Sequence, residues 1–181
     1  MPHERIDPAT VDVAWRREQA TRAALVVDAA DYFEAARQAM LKARRRIMLI
    51  GWDFDARIEL AGAADRLPGE PRTLGEFIVW LVEKKPALEV HLLRWNIGAL
   101  RTLFRGPTLL TVLRWMVHPR IHTRLDAASP PGASHHHKIV VVDDAVAFCG
   151  GIDMTGARWD TREHLDDDPR RVAPDGTPYG A

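Results

Sequence analysis

Short apolar or alternating runs predict a series of β-strands along the chain. The residues between these runs are turn formers or have apolar side chains at helical spacing. One β-branched run, residues 140–142, is followed by Asp143 and Asp144, which predicts a strand that turns into a hairpin. The predicted strands are residues 24–27, 47–52, 88–95, 121–126, 136–142 and 145–149.

Helical periodicity predicts three helices between these strands. The first is expected to begin at Asp31, three residues before Glu34, in the spacing of a capping box. The second should end before Pro86, and the third covers residues 98–117 with a break at Pro107. Strands alternating with helices predict an α/β fold, a mixed and mostly parallel sheet sandwiched by helices.

The third predicted helix can be interpreted in two ways, as a helix on a lipid surface or as a helix of the protein core. Arg101 and Arg105 are four residues apart, so that they share one face, which suits a helix lying on lipid headgroups. The favoured interpretation is a core helix with one solvated face.

Length and composition indicate one globular domain. The chain has 181 residues, of which 46% are hydrophobic and 28% charged, and its 25 basic side chains balance 25 acidic ones. A neutral total gives no support for broad nucleic-acid binding. We expect an N-terminal extension over residues 1–22 and an irregular tail over 161–181. No targeting segment is visible in residues 1–7, so a cytoplasmic protein is expected, with peripheral membrane contact possible.

The candidate catalytic residues of the sequence are His136, Lys138 and Asp143. On a strand, His136 and Lys138 share one face about 6.6–6.8 Å apart, a spacing that suits a single phosphate group. A neutral imidazole can attack phosphorus while a fixed ammonium stabilises the phosphoryl oxygens. His135 and His137 fall on the other face. Asp143 stands at the strand end and is predicted to form the turn rather than to transfer protons.

The pattern H-x-K-x-x-x-x-D, followed by Gly150, Gly151 and Asp153, resembles the signature of the phospholipase D superfamily. The resemblance is strongest over residues 134–160 and extends to 51–54, where the chain is similar to bacterial phospholipase D and cardiolipin-synthase-like proteins. It implies catalysis by His136, Lys138 and Asp143, with the two glycines and Asp153 at the phosphate.

The same resemblance implies a phosphodiesterase that works through a phosphohistidine, on one half of a pseudo-twofold fold. Phospholipid would be hydrolysed, or its phosphatidyl group transferred to an alcohol, without a metal or an organic cofactor. An aromatic and charged entrance loop is implied over residues 158–164, and Asp160 or Glu163 is a weak candidate to orient the nucleophile.

An active site of that family needs two motifs, and these 181 residues contain one. We expect the second to come from a C-terminal half beyond a truncated end or from another subunit. Two alternatives stay open: a homodimeric nuclease of the same superfamily, and an inactive fragment or phosphate-binding module. Nucleic acid is the less favoured substrate. A metal site in the histidine run is disfavoured, because adjacent residues of a strand diverge.

Overall fold

The computed structural model of the chain describes residues 18–51, 54–95, 107–126 and 136–180. Strands and helices alternate through these residues. Its elements are α1 (Asp28–Lys42), β1 (Arg46–Gly51), one 3-10 turn (Ala63–Asp65), α2 (Leu74–Lys84), β2 (Glu89–Trp95), α3 (Pro107–Val117), β3 (Ile121–Asp126), β4 (Lys138–Val142) and β5 (Val146–Cys149).

The five strands form one mixed sheet in the order β3-β2-β1-β4-β5. β1 pairs in parallel with β2, and β2 in parallel with β3, whereas β4 is antiparallel to both β1 and β5. The two parallel connections carry α2 and α3, as such crossovers usually do. The predicted α/β fold with a mixed sheet is confirmed.

The two faces of the sheet are covered to different extents. On one face, Ile47, Leu49 and Val140 are at most 1% exposed and join a single core with buried residues of α1 and α2. The other face carries half-buried Met48 and Val141 near the centre and exposed side chains towards β3. Burial on one face sets the register, because a slip of one residue would reverse every side chain.

Two predictions near the start of the chain are wrong. Residues 24–27 form no strand, because they have no ladder partner among the described residues, and Leu25 is 87% exposed. The first helix begins at Asp28 instead of Asp31, after the cap residue Val27, whose side chain makes no cap hydrogen bond. Asp31 lies in the first turn and pairs with Arg162. A polar residue predicts a cap only if no distant partner competes for it.

The capping box of this protein starts α2. The Thr73 hydroxyl accepts a hydrogen bond from the backbone amide of Glu76 and donates to the Glu76 carboxylate at 3.2 Å. These bonds satisfy one of the free amides of the first turn and hold the start of the helix.

Helix α3 attaches to the core through Trp115, which is 3% exposed and donates its indole N–H to the Gly75 carbonyl at 3.1 Å. The core-helix interpretation is therefore right for this side chain. The remaining surface is less polar than expected, since Leu110, Met116 and Val117 are at least 65% exposed. Arg101 and Arg105 lie outside the described residues. No helix in the described parts of the chain is both long and apolar enough to cross a membrane.

Candidate active site

Lys138 is the first residue of β4 and stands at the edge of the buried face. Antiparallel pairing places it opposite Gly51, the last residue of β1. A Cβ at position 51 would come within 2.8 Å of the Phe54 ring, so the glycine allows that ring to cover the end of the strand. The side chain of Lys138 is 4% exposed, and its ammonium is consequently held by the protein rather than by water.

The partner of Lys138 is Asp153, fifteen residues later in the chain. The ammonium nitrogen lies 3.1 Å from Asp153 Oδ2, and it also donates to the carbonyl of His136 at 3.3 Å. Asp153 is 6% exposed, and within the described residues its Oδ1 has no hydrogen-bond partner. Breaking such a buried pair leaves a charge without compensation, so each partner fixes the other.

A narrow pocket beside this pair is lined by side chains of α1, β1, β4 and the segment after β5. Tyr32, Phe54 and Ile152 form its apolar walls next to Lys138 and Asp153. Burial raises the pKa of the Tyr32 phenol to about 12, and the negative charge of nearby Asp153 adds to the shift. Tyr32 therefore keeps its proton at neutral pH.

His136 lies just before β4, which begins two residues later than predicted. Both His136 and His137 are exposed, and His135 lies outside the described residues. Strand alternation accounts for the buried side of Lys138 but does not reach the preceding histidines. That His136, and neither neighbour, faces the phosphate stays a prediction.

Asp143 has the structural role expected of it. Its backbone φ is 53° and that of Asp144 is 56°, a left-handed conformation that Asp tolerates in turns, and the Ala145 amide donates to the Val142 carbonyl at 3.0 Å across the two residues. Its carboxylate accepts hydrogen bonds of 2.8 Å from the backbone amides of Arg44, Arg45 and Arg46. Burial opposes ionisation, but these three bonds outweigh it and keep the pKa of Asp143 below its usual value. The carboxylate thus fastens the hairpin to the start of β1.

A glycine is usually needed where the backbone has a positive φ or where other atoms approach closely, and neither reason applies to Gly150 or Gly151 within the described residues. Neither Gly150 nor Gly151 has a positive φ, and a Cβ added to either would meet no atom of the described residues within 4 Å. The Gly150 amide donates to the Lys138 carbonyl at 3.2 Å, which extends the hairpin ladder by one bond. The described residues leave space above the pair.

Comparison with known proteins decides the family. A family model described as Phospholipase D matches residues 39–168, which is well over half of the chain. The chain belongs to the phospholipase D family. It is also 27% identical over 156 residues to Phospholipase D1 of Schizosaccharomyces pombe. The alignment covers 82% of this chain but 11% of the yeast protein, so the chain spans about a tenth of the length of that relative.

The segment after the phospholipase D motif holds a cluster that was only partly anticipated. Asp160 accepts hydrogen bonds from His164 Nδ1 and from Arg171 Nε, both at 2.9 Å. Arg171 is 1% exposed, so this ion pair anchors the tail to the body of the protein. The bond to Asp160, together with the nearby charge of Asp28, raises the pKa of His164. The spacing of four residues between Asp160 and His164 could have indicated their contact from the sequence. Nothing in the sequence pattern indicated the contact with Arg171.

The tail also positions the aromatic residue of the entrance loop. Tyr179 donates its hydroxyl to the Trp159 carbonyl at 2.8 Å, and the Arg170 guanidinium lies 5.0 Å from the centre of the Trp159 ring. Asp168 is buried and bonds Arg170 through its carboxylate, so the acidic run at 166–168 is not uniformly solvated. Residues 159–179 are therefore joined to one another by side-chain contacts, although they form no helix or paired strand beyond one isolated bridge between Val172 and Pro178.

Proposed function

We propose that this chain supplies one catalytic half-site of a phosphodiesterase, in which His136 is the nucleophile and Lys138 binds the phosphoryl oxygens. The observation that carries the proposal is the buried Lys138 ammonium, held 3.1 Å from Asp153 and two residues after His136. A preorganised cation at a site shielded from water stabilises developing negative charge more strongly than an exposed one.

The proposed reaction has two displacements. A neutral nitrogen of His136 forms a bond to phosphorus, the bond from phosphorus to the leaving alcohol breaks, and a protonated second histidine gives its proton to that oxygen. Water then attacks phosphorus, gives a proton to the same second histidine, and releases His136 with a phosphomonoester product. An alcohol in place of water would give phosphatidyl transfer.

Asp153 is proposed to position Lys138 rather than to touch the phosphate. A carboxylate accepts hydrogen bonds and repels a phosphate, so direct contact between the two is unfavourable. The ion pair with Lys138 instead holds the ammonium in the lining of the pocket. The open space above Gly150 and Gly151 is proposed to receive the phosphate.

The second histidine has to come from a second motif. We propose that another half-domain or another copy of the chain provides it, because one imidazole cannot be bonded to phosphorus and protonate the leaving oxygen at once. His164 is the alternative within these residues, because the carboxylate of Asp160 favours its protonated form.

Phospholipid is the proposed substrate, with nucleic acid second. The equal numbers of basic and acidic side chains give no general attraction for a polyanion. The exposed apolar residues Leu110, Met116 and Val117 of α3 support peripheral contact with a lipid surface in the cytoplasm.

Inorganic phosphate tests the half-site by itself. Titration followed by NMR should show phosphate binding to the chain, with a loss of at least tenfold in affinity in Lys138→Met. Lys84→Met is the matched control, because Lys84 is exposed at the end of α2 and should bind phosphate like the parent chain. Equal phosphate affinity in Lys138→Met and the parent would overturn the proposal.

Molar mass and turnover, measured over one range of concentrations, test the need for a second motif. Light scattering is combined with hydrolysis of phosphatidylcholine vesicles and, separately, of DNA. We expect turnover only in associated forms or in the presence of a second half-domain, and lipid should be preferred. The opposite result would be turnover by a strict monomer that is lost in His164→Ala. That result would overturn the need for a second motif and identify His164 as the acid.

A further inference from the structure

A second group of ligating side chains lies on the less covered face of the sheet. Glu89 and His91 are two residues apart on β2, and His122 on β3 pairs directly with His91. Alternate residues of a strand share a face, and so do paired residues of adjacent strands, so the three side chains point the same way. Glu89 and His122 are exposed and His91 is half-buried, which leaves the group accessible from solvent.

The distances within this group suit a metal ion better than hydrogen bonds. Glu89 Oε2 lies 3.4 Å from His91 Nε2 and 3.8 Å from His122 Nε2, beyond the usual hydrogen-bond range of about 2.7–3.2 Å. One ligand atom from each residue lies within 4.8 Å of the other two. Tetrahedral zinc with bonds of about 2.0–2.2 Å separates its ligands by about 3.3–3.6 Å.

We propose that Glu89, His91 and His122 bind one divalent transition-metal ion, with zinc as the best match. Two imidazoles and one carboxylate are a common zinc donor set and leave a fourth position for water. The two imidazole rings are stacked with their centres 4.7 Å apart, and the Nε2 atoms of both face the same Glu89 oxygen. Arg46, which pairs with Glu89 in the ladder, forms its ion pair with Asp144.

This metal site is separate from the proposed catalytic site. His91 pairs with Met48, whereas Lys138 pairs with Gly51, three residues further along β1 and on the opposite face of the sheet. The two positions are about 10 Å apart along the strand direction. A metal ion here would join β2 to β3, an outer strand of this sheet, and the inference does not depend on phosphodiesterase activity.

The test is a calorimetric titration of the metal-free chain with zinc alone, in a buffer that does not bind the metal. We expect one equivalent to bind, and Co²⁺ in its place should give the visible absorption of tetrahedral coordination. His122→Ala and Glu89→Gln should each weaken binding by at least about tenfold. Zinc at 100 times its Kd should raise the Tm of the parent chain by about 5–10 °C.

Two histidine variants serve as controls. His118→Ala changes a histidine close to β3 that instead accepts a hydrogen bond from the Arg120 amide, and it should bind zinc like the parent. His137→Ala tests the rival site in the histidine run and should also bind normally. Absence of zinc binding by the parent, unchanged binding in His122→Ala, or a loss confined to His137→Ala would each overturn the proposal. The Tm of each metal-free variant confirms that it is folded.

Discussion

The two ends of β4 use a carboxylate in opposite ways. Just after the end of the strand, Asp143 accepts hydrogen bonds from three backbone amides and holds the hairpin against the start of β1. At the beginning, Asp153 pairs with the buried ammonium of Lys138 beside a pocket. The two ends of the H-x-K-x-x-x-x-D motif therefore have different roles. Asp143 stabilises the fold, whereas the geometry around Lys138 suits phosphate chemistry.

This division has a physical cause in the length of the strand. β4 spans five residues, so the side chains of Lys138 and Asp143 cannot meet across about 16 Å of extended chain. The aspartate accepts hydrogen bonds from backbone amides of the connection after α1, whereas the lysine pairs with a carboxylate from beyond β5. Variants at the two ends should consequently change different properties.

The largest effect is expected at the beginning of the strand. His136→Ala should reduce turnover in the active form by about 10⁴-fold or more, because it removes the proposed nucleophile. His135→Ala should keep most of the activity, since the motif spacing predicts His136, and not His135, as the nucleophile. Equal losses in both variants, with folding intact, would contradict the assignment of His136.

A change at the other end should affect stability instead. Asp143→Asn should lower the free energy of unfolding by about 2 kcal/mol, because an amide oxygen cannot accept all three backbone bonds. Asp144→Asn is the matched control, since this neighbour has the same backbone conformation but an exposed side chain, and it should change stability by about 0.5 kcal/mol or less. Urea denaturation measures both. A large loss of activity per folded Asp143→Asn molecule would contradict a purely structural role for Asp143.

The role of Asp143 can be sharpened by its pH dependence. Its pKa is lowered in the folded protein, so its contribution to stability is complete above the unfolded pKa, near 4, and is lost as the pH falls through the folded value. The Tm difference between the parent and Asp143→Asn should therefore be constant from pH 7 to 5 and shrink at lower pH. A difference that stays constant down to pH 2.5 would argue against an ionised role.

The smallest effect is expected from the pocket wall. Tyr32 has a pKa of about 12, so it remains neutral over the range in which the enzyme can be assayed. Tyr32→Phe should change turnover by less than about threefold and leave the pH profile between 6 and 9 unaltered. A large loss in the phenylalanine variant would show that the hydroxyl takes part in the site beyond lining it.

Local pattern was enough to predict most of the fold. The strands β1, β2 and β3, the hairpin of β4 and β5, and helix α2 were predicted within a few residues, because burial on one side imprints its period on consecutive positions. The role of Asp143 was equally local, since a turn residue with a left-handed backbone favours Asp. The predicted strand at residues 24–27 failed because a strand also needs a neighbour to pair with.

What the sequence by itself determined is the family, the order of the elements and the residues of the motif. Only the tertiary structure decided that Asp153 holds Lys138, that Arg171 anchors Asp160, and that His122 lies beside His91. Each of these contacts joins residues 11 to 31 positions apart in the chain, across turns or between strands. Such contacts depend on register and on the path of the chain, which no local periodicity encodes.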